Sequence, residues 1–135
     1  MIRRKKIVTV AIDSPAAAGG GTQAKLIAKH YKLLHLDTGR IYRLIGKLKL
    51  KNSKNFNYYL IRKKIRNLKI SSLRDKSLLS DKVAVSASII AKDKKIRNIV
   101  HKFQQKCAYS PPLKYKGSVL DGRDIITIQM KDAMF

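Results

Sequence analysis

The spacing of apolar positions changes several times along this chain, and each change predicts an element. Ile7 to Ile12 form an unbroken apolar and β-branched run, IVTVAI, closed by Asp13, Ser14 and Pro15. Such a run predicts a strand buried on both faces. The small residues Ala16 to Thr22, with three consecutive glycines, predict a turn, and Gln23 to Lys32 a helix. Leu33 to Leu36 predict a second strand, followed by a turn at Asp37, Thr38 and Gly39. Ile41, Leu44, Ile45 and Leu48 then recur at i, i+3, i+4 and i+7, a helical face with Arg40, Arg43 and Lys47 elsewhere on its circumference. From Lys51 to Ser80 a polar opening (Asn52, Ser53, Asn55, Asn57) gives way to Ile61, Ile65 and Leu68 among basic residues, which predicts a helical middle with loose ends. Asp81 and Asp93 are expected as helix N-caps. Ile96, Ile99, Val100, Phe103 and Cys107 keep helical spacing up to Ser110, Pro111 and Pro112. Gly117 to Leu120 predict a third strand, closed by Asp121, Gly122, Arg123 and Asp124, and Ile125 to Met130 are apolar again.

Strands alternating with helices imply parallel pairing with crossovers, so the fold class is α/β with a sheet covered on both faces. A length of 135 residues allows one domain at most, and a hydrophobic fraction of 44% excludes a disordered basic tail. Charge sharpens the picture: 31 Lys and Arg face 8 acidic residues, all of them Asp, for a net +23. That balance is the footprint of a nucleic-acid or acidic-surface binder. The lysines are nevertheless spread over almost every segment, as a compositional drift of the coding sequence toward Lys, Ile and Asn would also leave them. Neither an aromatic-rich ribonucleoprotein pattern nor zinc spacing accompanies the charge, so nucleic acid is not the expected partner. The single cysteine, Cys107, excludes an internal disulfide and a cysteine-rich zinc site, which suits a reduced, cytoplasmic protein. Arg3, Arg4, Lys5 and Lys6 precede the first apolar run as in a signal peptide, but Asp13 interrupts that run after Ile12, short of the ~7 to 15 residues a secretory signal needs. No stretch approaches the ~18 to 20 apolar residues of a membrane helix.

The bend after the first strand carries the chemistry. Small residues let successive backbone N–H groups converge on phosphate oxygens, and the helix that follows adds its positive end. In the P-loop pattern G-x-x-x-x-G-K-S/T the lysine reaches the outer phosphates and the hydroxyl serves magnesium. Here Ser14, Pro15, Ala16, Ala17, Ala18, Gly19, Gly20, Gly21 and Thr22 match the variant G-x-x-x-x-G-K-G-T in length and in the final Thr, while Ser14 replaces the opening glycine and Gly20 the lysine.

Three blocks in order, AIDSPAAAGGGTQAKLIA, LHLDTGRIYR and VLDGRDI, give the chain a wider resemblance. It resembles the bacterial cytidylate kinases, in the nucleoside monophosphate kinase group of P-loop proteins, from Ile7 to about Ala133. The resemblance implies a P-loop nucleoside-kinase-like parallel sheet with flanking helices, incomplete at the C-terminus. Residues 1–50 would be the P-loop core with the acceptor-site helix, 51–92 an inserted nucleotide-monophosphate segment, and 93–135 a core helix, the third strand and the DGRD loop, without the family's C-terminal core and lid. It implies transfer of the terminal phosphate of ATP to CMP or dCMP, with Mg2+, in pyrimidine nucleotide metabolism. Ser14 through Thr22 would surround the donor triphosphate, Thr22 would offer its hydroxyl to magnesium, and Asp13 would hold that ion through water. Thr38, Arg43 and Arg123 would contact the acceptor, with Asp124 in support; a guanidinium suits this because it grips a phosphate through two parallel bonds. The family's strand order would leave Ile7 to Ile12 as an open apolar edge, available for self-association or for a complementary fragment.

Phosphoryl transfer relies on positioned charge around the moving group, so Gly20 matters. Lys25 stands five helical residues further on, ~140° around the helix and ~7.5 Å along it, and does not substitute. Losing one preorganised charge costs ~10² to 10³ in rate. Ile126 and Val85 also stand where the family usually has glycine and asparagine. No catalytic residue is assigned. Three functions follow: a (d)CMP kinase, a catalytically impaired remnant that binds nucleotide through loop amides, and a basic polyanion-binding module. His30, His35 and His101 match nothing catalytic and read as surface or filler, and Cys107 as core rather than nucleophile.

Overall fold

The computed structural model describes residues 7–13 and 20–122. Its elements in chain order are β1 (Val8–Asp13), α1 (Gly20–Tyr31), β2 (Leu34–Asp37), α2 (Thr38–Lys51), α3 (Tyr58–Arg66), two short 3-10 turns (Ile70–Arg74 and Lys76–Leu79), α4 (Asp81–Ile90), α5 (Lys94–Tyr109) and β3 (Gly117–Gly122). The chain divides into two compact units, one made of Met1–Thr38 with Gln104–Phe135 and the other of Gly39–Phe103. The second takes in residues 51–92 together with most of α2 and the start of α5.

In the first unit the three strands are parallel, in the order β1-β3-β2. The last strand in sequence is therefore the central one, and β3 is correspondingly apolar and buried along its length. Val119 packs with Ala24, Ala28 and Leu33, flanked by Val8, Val10, Ile12 and Ile27, so α1 covers that face. On the opposite face the Thr9 hydroxyl donates to the Ala108 carbonyl at 3.3 Å, and the Ser118 hydroxyl to the Cys107 carbonyl at 2.7 Å. Those bonds lay the end of α5 against β1 and β3 and satisfy two hydroxyls that burial would otherwise penalise. The sheet is thus α/β and covered on both faces. Among the described residues, β1 pairs on one side only.

Helix α1 begins at Gly20, three residues before the expected Gln23, so the last glycines are its first turn rather than part of the bend. Glycine is tolerated there because the first N–H groups of a helix need no intrahelical acceptor. Helix α1 ends in a reverse cap: Lys32 takes φ 56° and the Leu33 N–H donates to the Ala28 carbonyl at 2.8 Å. β2 passes into α2 with no intervening turn at Asp37 to Gly39, and β3 extends two residues past Leu120.

The second unit is helical. Ile41, Ile45, Ile61 and Val100 are fully buried in it, at the apolar spacings seen in the sequence, and Leu78 joins them from a short turn. Asn57 caps α3 by accepting from the Leu60 N–H at 2.9 Å. Asp93 caps α5 as expected, accepting from the N–H groups of Lys95 and Ile96 at 2.8 and 3.2 Å. Asp81 does not cap α4: Ser80 does, accepting from the Val83 N–H at 3.3 Å, and Asp81 sits in the first turn, where a carboxylate still favours the positive helix end.

Helices α2 and α4 meet at Gly46, whose carbonyl accepts from the Ser86 hydroxyl at 2.9 Å. A Cβ at Gly46 would lie 2.8 Å from the Ala87 nitrogen and 3.2 Å from the Val83 carbonyl oxygen. Gly46→Ala is expected to cost ~1 to 3 kcal/mol, because the obstacle is backbone and cannot rotate away. A denaturant midpoint at or above that of the parent would show that the two helices do not approach so closely. Among the described residues, no helix is long and apolar enough to cross a membrane.

Candidate functional site

Parallel strands end together, and open α/β sheets bind ligands outside their carboxyl ends. The register pairs Asp13 with Gly122, and Asp37 with Asp121, so one edge of the sheet carries a row of three aspartate positions from three strands. Helix α1 packs on the sheet through Ala24 and Ala28 and leads from its carboxyl end into the start of β2, which sets its amino end beside the carboxyl edge of the strands. The N–H groups of its first turn, from Gly20, Gly21 and Thr22, have no intrahelical acceptor, and no acidic side chain in that turn offsets the helix's positive end. These backbone groups suit phosphate oxygens. Thr22 is solvent-exposed on that turn. Ser14, Pro15, Ala16, Ala17, Ala18 and Gly19 lie outside the described residues, as do Arg123, Asp124 and Ile126.

Thr38, expected at the acceptor, opens α2 directly after Asp37 and is buried. Arg43, expected there too, belongs to the second unit. It is neither a free surface cation nor fully engaged: Nη1 donates to the Leu78 carbonyl at 2.9 Å, and a guanidinium retains further donors for an anion. Lys25 is on α1 and exposed, so the helical rotation that separates it from Gly20 applies.

His35 is not surface or filler. Its Nε2 bonds the Asp121 carboxylate, and the two side chains are only 19% and 9% exposed. Both fall on the sheet face that α1 covers, since they share strand parity and register with Val119. The pair fixes one carboxylate of the row. Sequence offered no signal for it, because the partners lie 86 residues apart and come from different blocks. His30 is exposed, with its ring edge-on to Tyr31. His101 is partly buried, and burial, aided by the Arg97 charge, holds its imidazole below the usual range.

Among the described side chains at this edge, the Thr22 hydroxyl and the Asp37 and Asp121 carboxylates are oxygen donors, a hard set that fits Mg2+. Among the described residues no group of three His, Cys, Asp or Glu forms a metal cage. A magnesium ion carried mainly by phosphates and water needs none.

Cys107 is half-buried in α5, and burial pushes its thiol from 9.0 up to about 11, partly opposed by Lys106. It is no nucleophile at neutral pH. Tyr42 is likewise pushed up from 10.0 to about 12 by burial, against the Arg97 charge. Both folded values exceed the unfolded ones, so the unfolded chain loses these protons first as pH rises. Stability from both groups is therefore fully present below pH 9 and falls as pH climbs through about 11 and 12. The expected results are a lower denaturant midpoint at pH 10.5 than at pH 8, and alkylation of native Cys107 roughly a hundredfold slower than in the denatured chain. Equal alkylation rates would contradict its burial.

A family model described as cytidylate kinase matches residues 10–135. A cytidylate kinase of Rhodopseudomonas palustris (strain TIE-1) is 40% identical over 92% of this chain and 57% of that protein. One from Bradyrhizobium sp. (strain ORS 278) is 38% identical with the same coverage, and one from Bartonella tribocorum is 41% identical over 95% of this chain and 58% of that protein. The chain thus spans somewhat more than half the length of the curated relatives it matches. A parallel sheet whose first strand is followed by a helix opening on Gly20, Gly21 and Thr22, and a family match that runs through all three sequence blocks, point the same way: the chain belongs to the cytidylate kinase family.

Proposed function

We propose that this chain transfers the terminal phosphate of ATP to CMP or dCMP, slowly for its family because glycine stands at position 20. The observation that carries the proposal is the amino end of α1, whose first three N–H groups have no intrahelical acceptor and which follows the first strand of a parallel sheet. Those amides would bind the donor phosphates. Ser14 to Gly19 would complete the cradle, and Thr22, with Asp13 through water, would hold Mg2+, which supplies charge neutralisation on the phosphates. On the acceptor side Thr38 and Arg43 would orient the monophosphate, helped by Arg123 and Asp124, and residues 51–92 would form the nucleotide-monophosphate segment. Attack is in line and needs orientation more than covalent help.

A coupled assay with CMP, ATP and magnesium tests this. Turnover above the uncatalysed background, lost with Arg43→Ala, is the expected result. The second reading, a remnant that binds nucleotide without turning it over, is favoured by Gly20 itself, and it gains if ATP binds while no product forms. Pyrimidine nucleotide metabolism in the cytoplasm is the setting this activity would have.

A further inference from the structure

The net charge is unevenly shared between the two units. The second, Gly39–Phe103, carries nineteen Lys and Arg against three Asp, while the remainder carries twelve against five. Between Asp37 and Asp75 there is no acidic residue at all and there are twelve cations. The three aspartates of the second unit do not neutralise them broadly. Asp75 is committed to the Ser77 N–H and Lys47, Asp93 to the α5 cap and the Tyr58 hydroxyl, and Asp81 sits at the start of α4.

Helix α3 shows what this does to a surface. Ile61 and Ile65 turn inward and are buried. On the outer side Tyr59, Arg62, Lys63 and Arg66 are all exposed, at i, i+3, i+4 and i+7, so they form one stripe along the helix. Tyr59 is 68% exposed, a large aromatic at the head of three cations. The lysines and arginines that look evenly scattered along the sequence are therefore ordered on this helix. A stripe of ~10 Å along the helix, with three cations beside an exposed ring, matches the grip on single strands, in which cations follow phosphates and an aromatic face takes a base. A bilayer surface does not fit, because an interfacial helix must direct its apolar residues outward and α3 buries them.

We propose that the outer stripe of α3, Tyr59, Arg62, Lys63 and Arg66, binds single-stranded nucleic acid, with the three cations on phosphates and the Tyr59 ring stacked on a base.

Fluorescence anisotropy of the full chain with a labelled oligouridylate tests it. The expected dependence of log affinity on log salt includes a slope contribution of about −2 from three phosphate contacts. Arg62→Gln, Lys63→Gln and Arg66→Gln together should weaken binding at least ~10-fold and remove that part of the slope. Lys29→Gln, Lys114→Gln and Lys116→Gln together remove the same charge from exposed positions elsewhere and should weaken it far less. Tyr59→Ala, which leaves the buried face of α3 intact, should weaken binding roughly tenfold with the slope unchanged. Equal losses in the two triple variants would overturn the proposal, since net charge alone would then explain binding. So would equal affinity for polyglutamate, or affinity for anionic vesicles in place of the oligonucleotide.

Discussion

Gly117→Ala is expected to lower the thermal midpoint by roughly 10 °C or more, from a loss of at least ~3 kcal/mol. Gly117 is the first residue of β3 and pairs in register with Val8 of β1. A Cβ there would fall 1.7 Å from the Val8 carbonyl oxygen and 2.6 Å from its carbon. Neither strand can step aside cheaply. The Val8 N–H is bonded to the Lys116 carbonyl at 3.1 Å, and the Lys116 N–H to the Lys32 carbonyl at 2.9 Å, so the start of the ladder is tied to the end of α1. The first unit has only three strands among the described residues, and β1 pairs with β3 alone, so parting that pair removes β1 from the sheet. Against typical domain stabilities of ~5 to 15 kcal/mol the loss is severe. Ser118→Ala, next door, should cost only ~1 kcal/mol, the value of its single hydroxyl bond to Cys107. Differential scanning of the two variants checks both, and similar midpoints would mean that β1 and β3 do not approach as closely as the register requires.

Gly20→Lys is expected to raise turnover with CMP and ATP by ~10² to 10³. Position 20 opens α1, at the sheet edge where the donor phosphates would sit, and a lysine there would add the charge that α1's backbone amides only partly supply. The substitution also replaces a poor helix former with a better one, so it should not lower stability. Lys25→Ala should leave turnover nearly unchanged, because that side chain points ~140° away from position 20. A Gly20→Lys chain that binds ATP more tightly but turns over no faster would move the limiting step to the acceptor side, where Arg43 and Thr38 are expected to act.

Much of the fold was legible because it rests on local pattern. The run from Ile7 to Ile12, the Ile41 to Leu48 face and the Asp93 cap each announce an element within a few residues, and the structure has all three. Boundaries failed where two local signals competed. Consecutive glycines read as turn, yet Gly20 and Gly21 lie in a helix, where the first turn lacks intrahelical acceptors and so tolerates them. Ser80 and Asp81 are both good caps, and only backbone geometry, extended at Ser80, decides between them. The turns at Ile70–Arg74 and Lys76–Leu79 had no apolar period long enough to see; they are held from outside, by Arg40 on the Leu73 carbonyl and Arg43 on that of Leu78. Long-range chemistry was opaque for the same reason. The His35 bond to Asp121 depends on β2 lying beside β3, a topological fact that neither strand's sequence contains. The stripe on α3 escaped notice because lysine is common everywhere in the chain, and a face becomes distinct only once Ile61 and Ile65 fix which side is inward.

Amide chemical shifts followed during titration with magnesium and ATP would decide whether the start of α1 holds the donor phosphates. The N–H signals of Gly20, Gly21 and Thr22 should move together and saturate with a single affinity, while those of α3 stay in place. Saturable ATP binding that leaves these three signals unmoved, or no binding at any concentration, would contradict a phosphate cradle at that helix end.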